Sequence, residues 1–276
     1  MQDASSAEAG TTMDTDSNFA TSAGKQLGLY ALYALFGLSV LIYVLSVAAG
    51  SSGGSVSGGA INIERNSITI VLTEEPPQLD STRSTDAVSF IVLAHAMEGL
   101  IAYDDNDQLT PGVAERWEIR DDGATFWIRE DAKWSDGQPV TAYDFEFAWR
   151  RVLDPATASE YSFILYPIKN AELVNRGDLP KEMIGVRALS DRVLEVEFER
   201  STPYFDKLVA FNTYYPLRED FFESTNGRYG ADADMLLSNG PYVVTEWIHG
   251  SSMLWKKNPY YWNDQKGFLD EIVTAY

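Results

Sequence analysis

The feature that most constrains this chain is one uninterrupted apolar run, LGLYALYALFGLSVLIYVLSVAA at residues 27–49, with no Asp, Glu, Lys or Arg in its 23 positions. A helix rises about 1.5 Å per residue, so the run is long enough to cross the roughly 30 Å hydrocarbon core of a bilayer. Lys25 precedes it and the next basic residue is Arg65. That asymmetry orients the N-terminus towards the cytoplasm and the rest of the chain outside. A cleaved signal peptide is the rival, with Val47-Ala48-Ala49 as a small-residue site. Signal h-regions are shorter, about 7–15 residues, and follow a basic n-region. Here Asp3, Glu8, Asp14 and Asp16 stand against Lys25. A buried core helix is the third reading. The expectation is an uncleaved signal-anchor, and both leading readings export the residues beyond the run.

Around the run the chain divides by composition. Residues 1–26 are rich in Ser, Thr, Ala, Gly and Asp and lack the apolar surface to order themselves. Residues 50–62 begin with GSSGGSVSGG, a flexible linker. The remainder carries the means to fold: 45% of the chain is hydrophobic and 13% aromatic. Its formal charge of −20 and its lack of any basic cluster beyond Arg150-Arg151 and Lys256-Lys257 argue against nucleic acid as a partner. Cysteine is absent, which removes thiolate catalysis, disulfides, thiolate metal sites and a lipid-acceptor thiol.

From residue 63 onwards strands and helices are mixed, with strands in the majority. SITIVL (67–72) reads as a short buried strand broken by Glu75-Pro76-Pro77. Residues 87–100 have helical spacing, with Val88, Ile91, Val92 and Ala96 on one side and Gly99 as the stop. Strands at 101–103, 114–119 and 125–129 alternate with Asp/Asn/Gly turns in meander fashion. Thr141 with Asp144 three residues on makes a capping box for a helix whose buried face is Phe145, Ala148, Trp149 and Val152, ended by Asp154-Pro155. Further strands are expected at 186–189, 193–198, 242–247, 252–257 and 270–274, and a helix at 205–209.

The order of these segments and the residues within them resemble the extracytoplasmic oligopeptide- and dipeptide-binding proteins of ABC importers. The block WIREDAKWSDGQPVTAYDF (127–145) is the specific part of the likeness. Shorter matches flank it in sequence: Leu79-Asp80, MEGL (97–100), LTPGVAERW (109–117), Asp154-Pro155, Pro203-Tyr204-Phe205, SNGPY (238–242) and NPYYW (258–262). The likeness covers residues 67–276 and implies a mixed, β-rich α/β fold of the periplasmic-binding-protein type. It also implies a first lobe begun by residues 63–97, an inserted subdomain at 98–217 and a return to the lobe at 218–276. Family members are typically about twice this length, so the opposing lobe is expected to lie outside these 276 residues. The chain is therefore expected to be an N-terminal fragment, with a natural half-protein as the alternative.

The resemblance further implies a function without chemistry: capture of short peptides and delivery to the transmembrane subunits of an ABC permease, by a monomer on the outer side of the inner membrane. Thr85, Asp86 and Ala87 match a segment that pairs with the peptide backbone, and Tyr161 matches a tyrosine lining the cleft. Asn239 and Gly240 match a loop at its floor, where glycine permits close backbone approach. The plain alternatives are a helix-entry loop capped by Asp86, a packing tyrosine and a structural turn. Trp117, Trp127, Trp134 and Trp149 read as core. His95 and His249 are the only histidines and stand far apart in sequence, so no catalytic or metal role is assigned, and no cofactor is expected. Asp104, Asn106, Gln108 and Glu115 resemble part of a calcium loop, but Leu109 stands where glycine is required. The functional alternative from another class is a membrane-tethered scaffold derived from half of a solute-binding protein.

Overall fold

β-branched and aromatic segments build three sheets, one of them only two-stranded, in the computed structural model, which describes residues 60–264 and 266–276. The first sheet has the order β1-β2-β11-β10-β9. Its strands are β1 (Ile61–Asn62), β2 (Ser67–Val71), β9 (Tyr242–Ile248), β10 (Ser252–Lys257) and β11 (Glu271–Ala275). β11 runs parallel to β2 from Glu271↔Ser67 to Ala275↔Val71, and the remaining pairs are antiparallel. The chain thus leaves this sheet after β2 and returns as a three-stranded meander.

The intervening residues form a short antiparallel pair, β3 (Ile101–Tyr103) with β4 (Leu109–Pro111). They also form a four-stranded antiparallel sheet of order β5-β6-β8-β7. Its strands are β5 (Ala114–Arg120), β6 (Gly123–Ile128), β7 (Val186–Ser190) and β8 (Val193–Glu197). Among the described residues two helices exceed two turns, α1 (Ala87–Ala96) and α2 (Ala142–Leu153). One hydrophobic cluster draws on all of these elements except β1, whose two residues are exposed, with Trp134, Trp149, Phe126, Phe145, Phe205 and Tyr214 among its fully buried members. Residues Ala60–Tyr276 form one compact unit.

The KWSDGQPVTAYDF block is legible as architecture. Gly137 takes φ +86°, the left-handed region open to glycine, and turns the chain so that Trp134 N–H reaches the Gln138 carbonyl. Asp144 Oδ2 accepts from Thr141 N–H at 2.8 Å and from the Trp134 indole at 3.1 Å, closing the capping box. Burial pushes the Asp144 carboxyl up to about 6, against the pull of the Thr141 and Trp134 hydrogen bonds. Because the folded state binds that proton more tightly than the unfolded chain, this group favours folding most below about pH 4 and loses that contribution as pH rises through about 6. Asp136 binds Arg218 at 2.6 Å, and Ser135 N–H donates to the Ser238 carbonyl.

Three expectations are corrected. Helix α1 stops at Ala96 rather than running to Leu100, with Met97 already extended at φ −131°, ψ 159°. Ile91 is 47% exposed, and the buried face is instead Val88, Ser89, Val92, Leu93 and Ala96. Of the four tryptophans read as core, Trp134 and Trp149 are fully buried, whereas Trp127 is half-buried beneath the Arg116 guanidinium at 3.5 Å from its ring centre. Among the described residues no helix is long and apolar enough to cross a membrane; the expected span at 27–49 lies outside the described residues.

Candidate functional site

The passage from β2 to α1 is held by side chains rather than by regular pairing. Asp80 Oδ1 accepts from Thr82 N–H at 3.0 Å and Thr82 Oγ1 at 2.6 Å, and its carboxylate takes both Arg151 nitrogens at 3.2 and 2.8 Å. Ser84 and Ser89 donate to the Gln78 carbonyl. Leu79, fully buried, donates its N–H to the Gly230 carbonyl at 2.8 Å. These contacts deliver Asp86 in an extended conformation, φ −94° and ψ 152°, where its side chain caps α1 by accepting from Ser89 N–H at 2.7 Å. Ala87 is the first helical residue and is exposed; Thr85 and Asp86 are half-buried. The N–H groups of Ala87 and Val88 have no acceptor among the described residues, as expected for the first turn of a helix.

One turn further on, Phe90 opens an aromatic face. Its ring lies 5.2 Å from Phe211 and 6.0 Å from Tyr161, and Tyr161 packs edge-on to Phe211 at 5.6 Å and lies 5.9 Å from Phe163. Asn212 donates to the Phe90 carbonyl at 3.0 Å, fixing this cluster to α1. Phe163 is 54% and Phe211 37% exposed, so the face meets solvent. Two of the three expected contact regions, residues 85–87 and Tyr161, therefore share one end of α1. Phe90, Phe163 and Phe211 do not stand out in the sequence, because scattered aromatics carry no periodic signal.

Asn239 and Gly240 lie at the other end of α1, about 15 Å along its ten residues. Asn239 is 2% exposed and pairs with both backbone groups of Glu98, accepting from its N–H at 3.0 Å and donating to its carbonyl at 2.9 Å. Gly240 N–H binds the Ala96 carbonyl at 2.9 Å, and a Cβ here would sit 2.7 Å from Met97 N. The close approach that requires glycine is thus between two parts of this chain.

Glu98 itself is a buried node. Its carboxylate accepts from Tyr261 Oη at 2.5 Å and Trp262 Nε1 at 2.6 Å, with Lys266 Nζ at 3.7 Å. Arg129 lies over the Trp262 ring at 3.2 Å. Burial raises the Glu98 carboxyl above its ordinary range despite the pull of these donors. Three short motifs, MEGL, SNGPY and NPYYW, converge here: Glu98 binds Asn239, Tyr261 and Trp262, Gly240 binds Ala96, and Asn258 donates to the Gly240 carbonyl at 2.8 Å. Among the described residues no group of three His, Cys, Asp or Glu side chains could hold a metal ion.

This architecture has close parallels. The chain is 38% identical over 239 residues to the oligopeptide-binding protein OppA of Bacillus subtilis, covering 84% of this chain and 44% of that one. It is 32% identical over 236 residues to the periplasmic oligopeptide-binding protein OppA of Salmonella typhimurium, covering 84% and 43%. Among solved structures it is similar to the substrate-binding domain of an oligopeptide ABC transporter from Bacillus anthracis, with TM-score 0.75, 44% identity, and 76% and 41% of the two chains covered. It is also similar to Listeria monocytogenes OppA bound to peptide, with TM-score 0.73, 34% identity, and coverage of 79% and 43%. The chain spans less than half the length of these relatives. The family model for bacterial extracellular solute-binding proteins, family 5 (Middle), matches residues 108–276, well over half of the sequence, and the chain belongs to that family.

Proposed function

We propose that this chain is the N-terminal part of the extracytoplasmic solute-binding component of an ABC importer, a monomer that captures short peptides and delivers them to the transmembrane permease subunits. The observation that carries the reading is the corner where unpaired N–H groups at the start of α1 adjoin the solvent-facing Tyr161 cluster. Main-chain donors bind any peptide backbone, and aromatic faces accept varied side chains without demanding one. The scaffold alternative is not favoured, since the relatives are themselves solute-binding proteins. In this reading residues 63–97 and 218–276 belong to one lobe and 98–217 to an inserted subdomain.

Calorimetry with a pool of tri- to pentapeptides tests it. The 276-residue chain is expected to bind in the millimolar range or worse, because half of the cleft wall and the burial that accompanies closure lie outside it. A product extended to the relatives' full length should bind at least about a hundredfold more tightly, which corresponds to about 2.8 kcal/mol. No peptide binding by the extended product would reject peptide capture. Micromolar binding by the 276-residue chain would reject the division of the site between lobes.

Residues 27–49 are proposed as an uncleaved single-pass anchor in the inner membrane, with the folded part outside. The native product is then expected to stay with membranes through an alkaline carbonate wash. Release into the soluble fraction with a new N-terminus near Gly50 would identify a cleaved signal instead.

A further inference from the structure

We propose that His249, Glu75 and Asp232 form a protonation-dependent clasp that fastens both the loop after β2 and the 228–235 segment to the turn between β9 and β10. The three residues come from separate stretches of chain. His249 Nδ1 lies 2.6 Å from Glu75 Oε1, and Nε2 lies 2.9 Å from Asp232 Oδ1. A neutral imidazole carries one N–H and one lone pair, so it can donate to only one of two carboxylates. Holding both at hydrogen-bond distance requires the doubly protonated ring. The geometry therefore selects imidazolium irrespective of any further electrostatic argument.

The surroundings reinforce that choice. Glu75 also accepts from the Trp247 indole at 2.8 Å and from Gly250 N–H at 2.7 Å, so it is already committed to the β9–β10 turn. The Trp247 and His249 rings are 4.6 Å apart, placing an aromatic ring against the cation. Arg228 pairs with the outer oxygen of Asp232. The Tyr276 phenol, pushed up to about 12 by burial first and then by the Glu75 charge, is neutral throughout the range concerned. The Asp232 and Glu75 hydrogen bonds raise the imidazole above its ordinary 6.5. Those same bonds, with Arg228 at Asp232 and Gly250 and Trp247 at Glu75, hold the two carboxyls below their ordinary values although burial opposes this.

The signs define a window. The histidine's contribution is complete below its unfolded value of 6.5 and is lost as pH rises through the higher folded value. The carboxylates contribute fully above their ordinary 4.5 and 3.8 and lose that contribution as pH falls through their lowered values. The clasp is therefore closed at mildly acidic pH and opens on the alkaline side, where the neutral ring turns a lone pair to one carboxylate and Glu75 loses the attraction of the imidazolium charge whichever nitrogen keeps the proton, which weakens its hold on Gly250 N–H. The loop it secures leads into Leu79 and Asp80 and on to the start of α1, so the device acts on the entry to that corner.

The chain has two histidines, so the test is direct. Imidazole C–H resonances of the full chain are titrated by NMR, with His249 assigned by the signal that His249→Gln removes. Amide exchange at Gly250, corrected for intrinsic rates, is followed in parallel. The expected His249 midpoint lies above 6.5, and Gly250 protection falls by about two- to fivefold as pH rises through it, the scale of exposed ion pairs. In His249→Gln, which can donate but does not titrate, protection is expected to stay flat over the same range. A midpoint at or below 6.5, or the same pH response of Gly250 in both proteins, would overturn the clasp.

Discussion

Replacing Asp80 with alanine is expected to cost the folded unit about 3–5 kcal/mol, the range measured when one partner of a buried ion pair is removed. The Asp80 side chain is 4% and the Arg151 side chain 14% exposed, and the two meet through both guanidinium nitrogens. Without the carboxylate, Arg151 keeps the Phe222 ring, 4.4 Å away, but has no other ion pair among the described residues. Thr82 loses the acceptor for its N–H and its hydroxyl at the same time. Chemical denaturation of the 276-residue chain reads the effect as a lower midpoint with an unchanged slope. The double variant Asp80→Leu with Arg151→Met should recover most of the loss, because it removes the buried charge together with its partner. A single-variant cost below about 1 kcal/mol would mean that water reaches the pair and that Asp80 does not hold the passage into α1.

That pair illustrates what the sequence could and could not disclose. The strand at Ser252–Lys257 and the helix begun by Thr141 are legible because their determinants are local: period-two alternation in one, a cap three residues from its partner in the other. The end of α1 is not. Apolar residues continue through Met97 and Leu100, so periodicity alone carries the helix onwards. It stops because Asn239, 141 positions away in the chain, takes the N–H and carbonyl of Glu98, and Gly240 takes the Ala96 carbonyl. The exposure of Ile91 has a similar origin, since sheet packing chose a face one position round that includes Ser89. β4 leaves no clear mark in the sequence because it is three residues long and ends in Pro111. The clasp is invisible there for the strongest reason: His249 reaches Glu75 across 174 positions, and a lone histidine in a turn carries no signal.

The same distinction separates motif from site. Trp134, Asp144, Glu98, Asn239 and Tyr261 are conspicuous in sequence, and each is engaged with another part of the fold. The corner at the start of α1 offers mostly main-chain groups and interchangeable aromatics, which leave little trace in residue identity. On the proposed reading, a receptor that holds peptides by their backbone needs specific residues to build the framework and few to read the ligand.

This arrangement makes proline at position 87 the sharpest probe of the proposed site in a product of the relatives' full length. Ala87 is the first residue of α1, where proline's fixed φ suits the helix and its missing N–H removes no intrahelical bond. The preceding residue must be extended, and Asp86 already is, at ψ 152°. Ala87→Pro therefore leaves the fold intact and deletes one unpaired donor. Where that donor faces peptide, the loss is about 0.5–1.5 kcal/mol, and up to about 3 kcal/mol if a buried carbonyl is left without a partner. Affinity should accordingly fall by roughly three- to a hundredfold, with an unchanged circular dichroism spectrum. Asp86→Ala offers the contrast. It removes the cap on Ser89 N–H and costs about 1 kcal/mol of stability, yet leaves the main-chain donors in place, so affinity should change by less than about tenfold. Equal binding by the two variants would mean that residues 85–87 serve only to start the helix, and that the peptide is held by other groups.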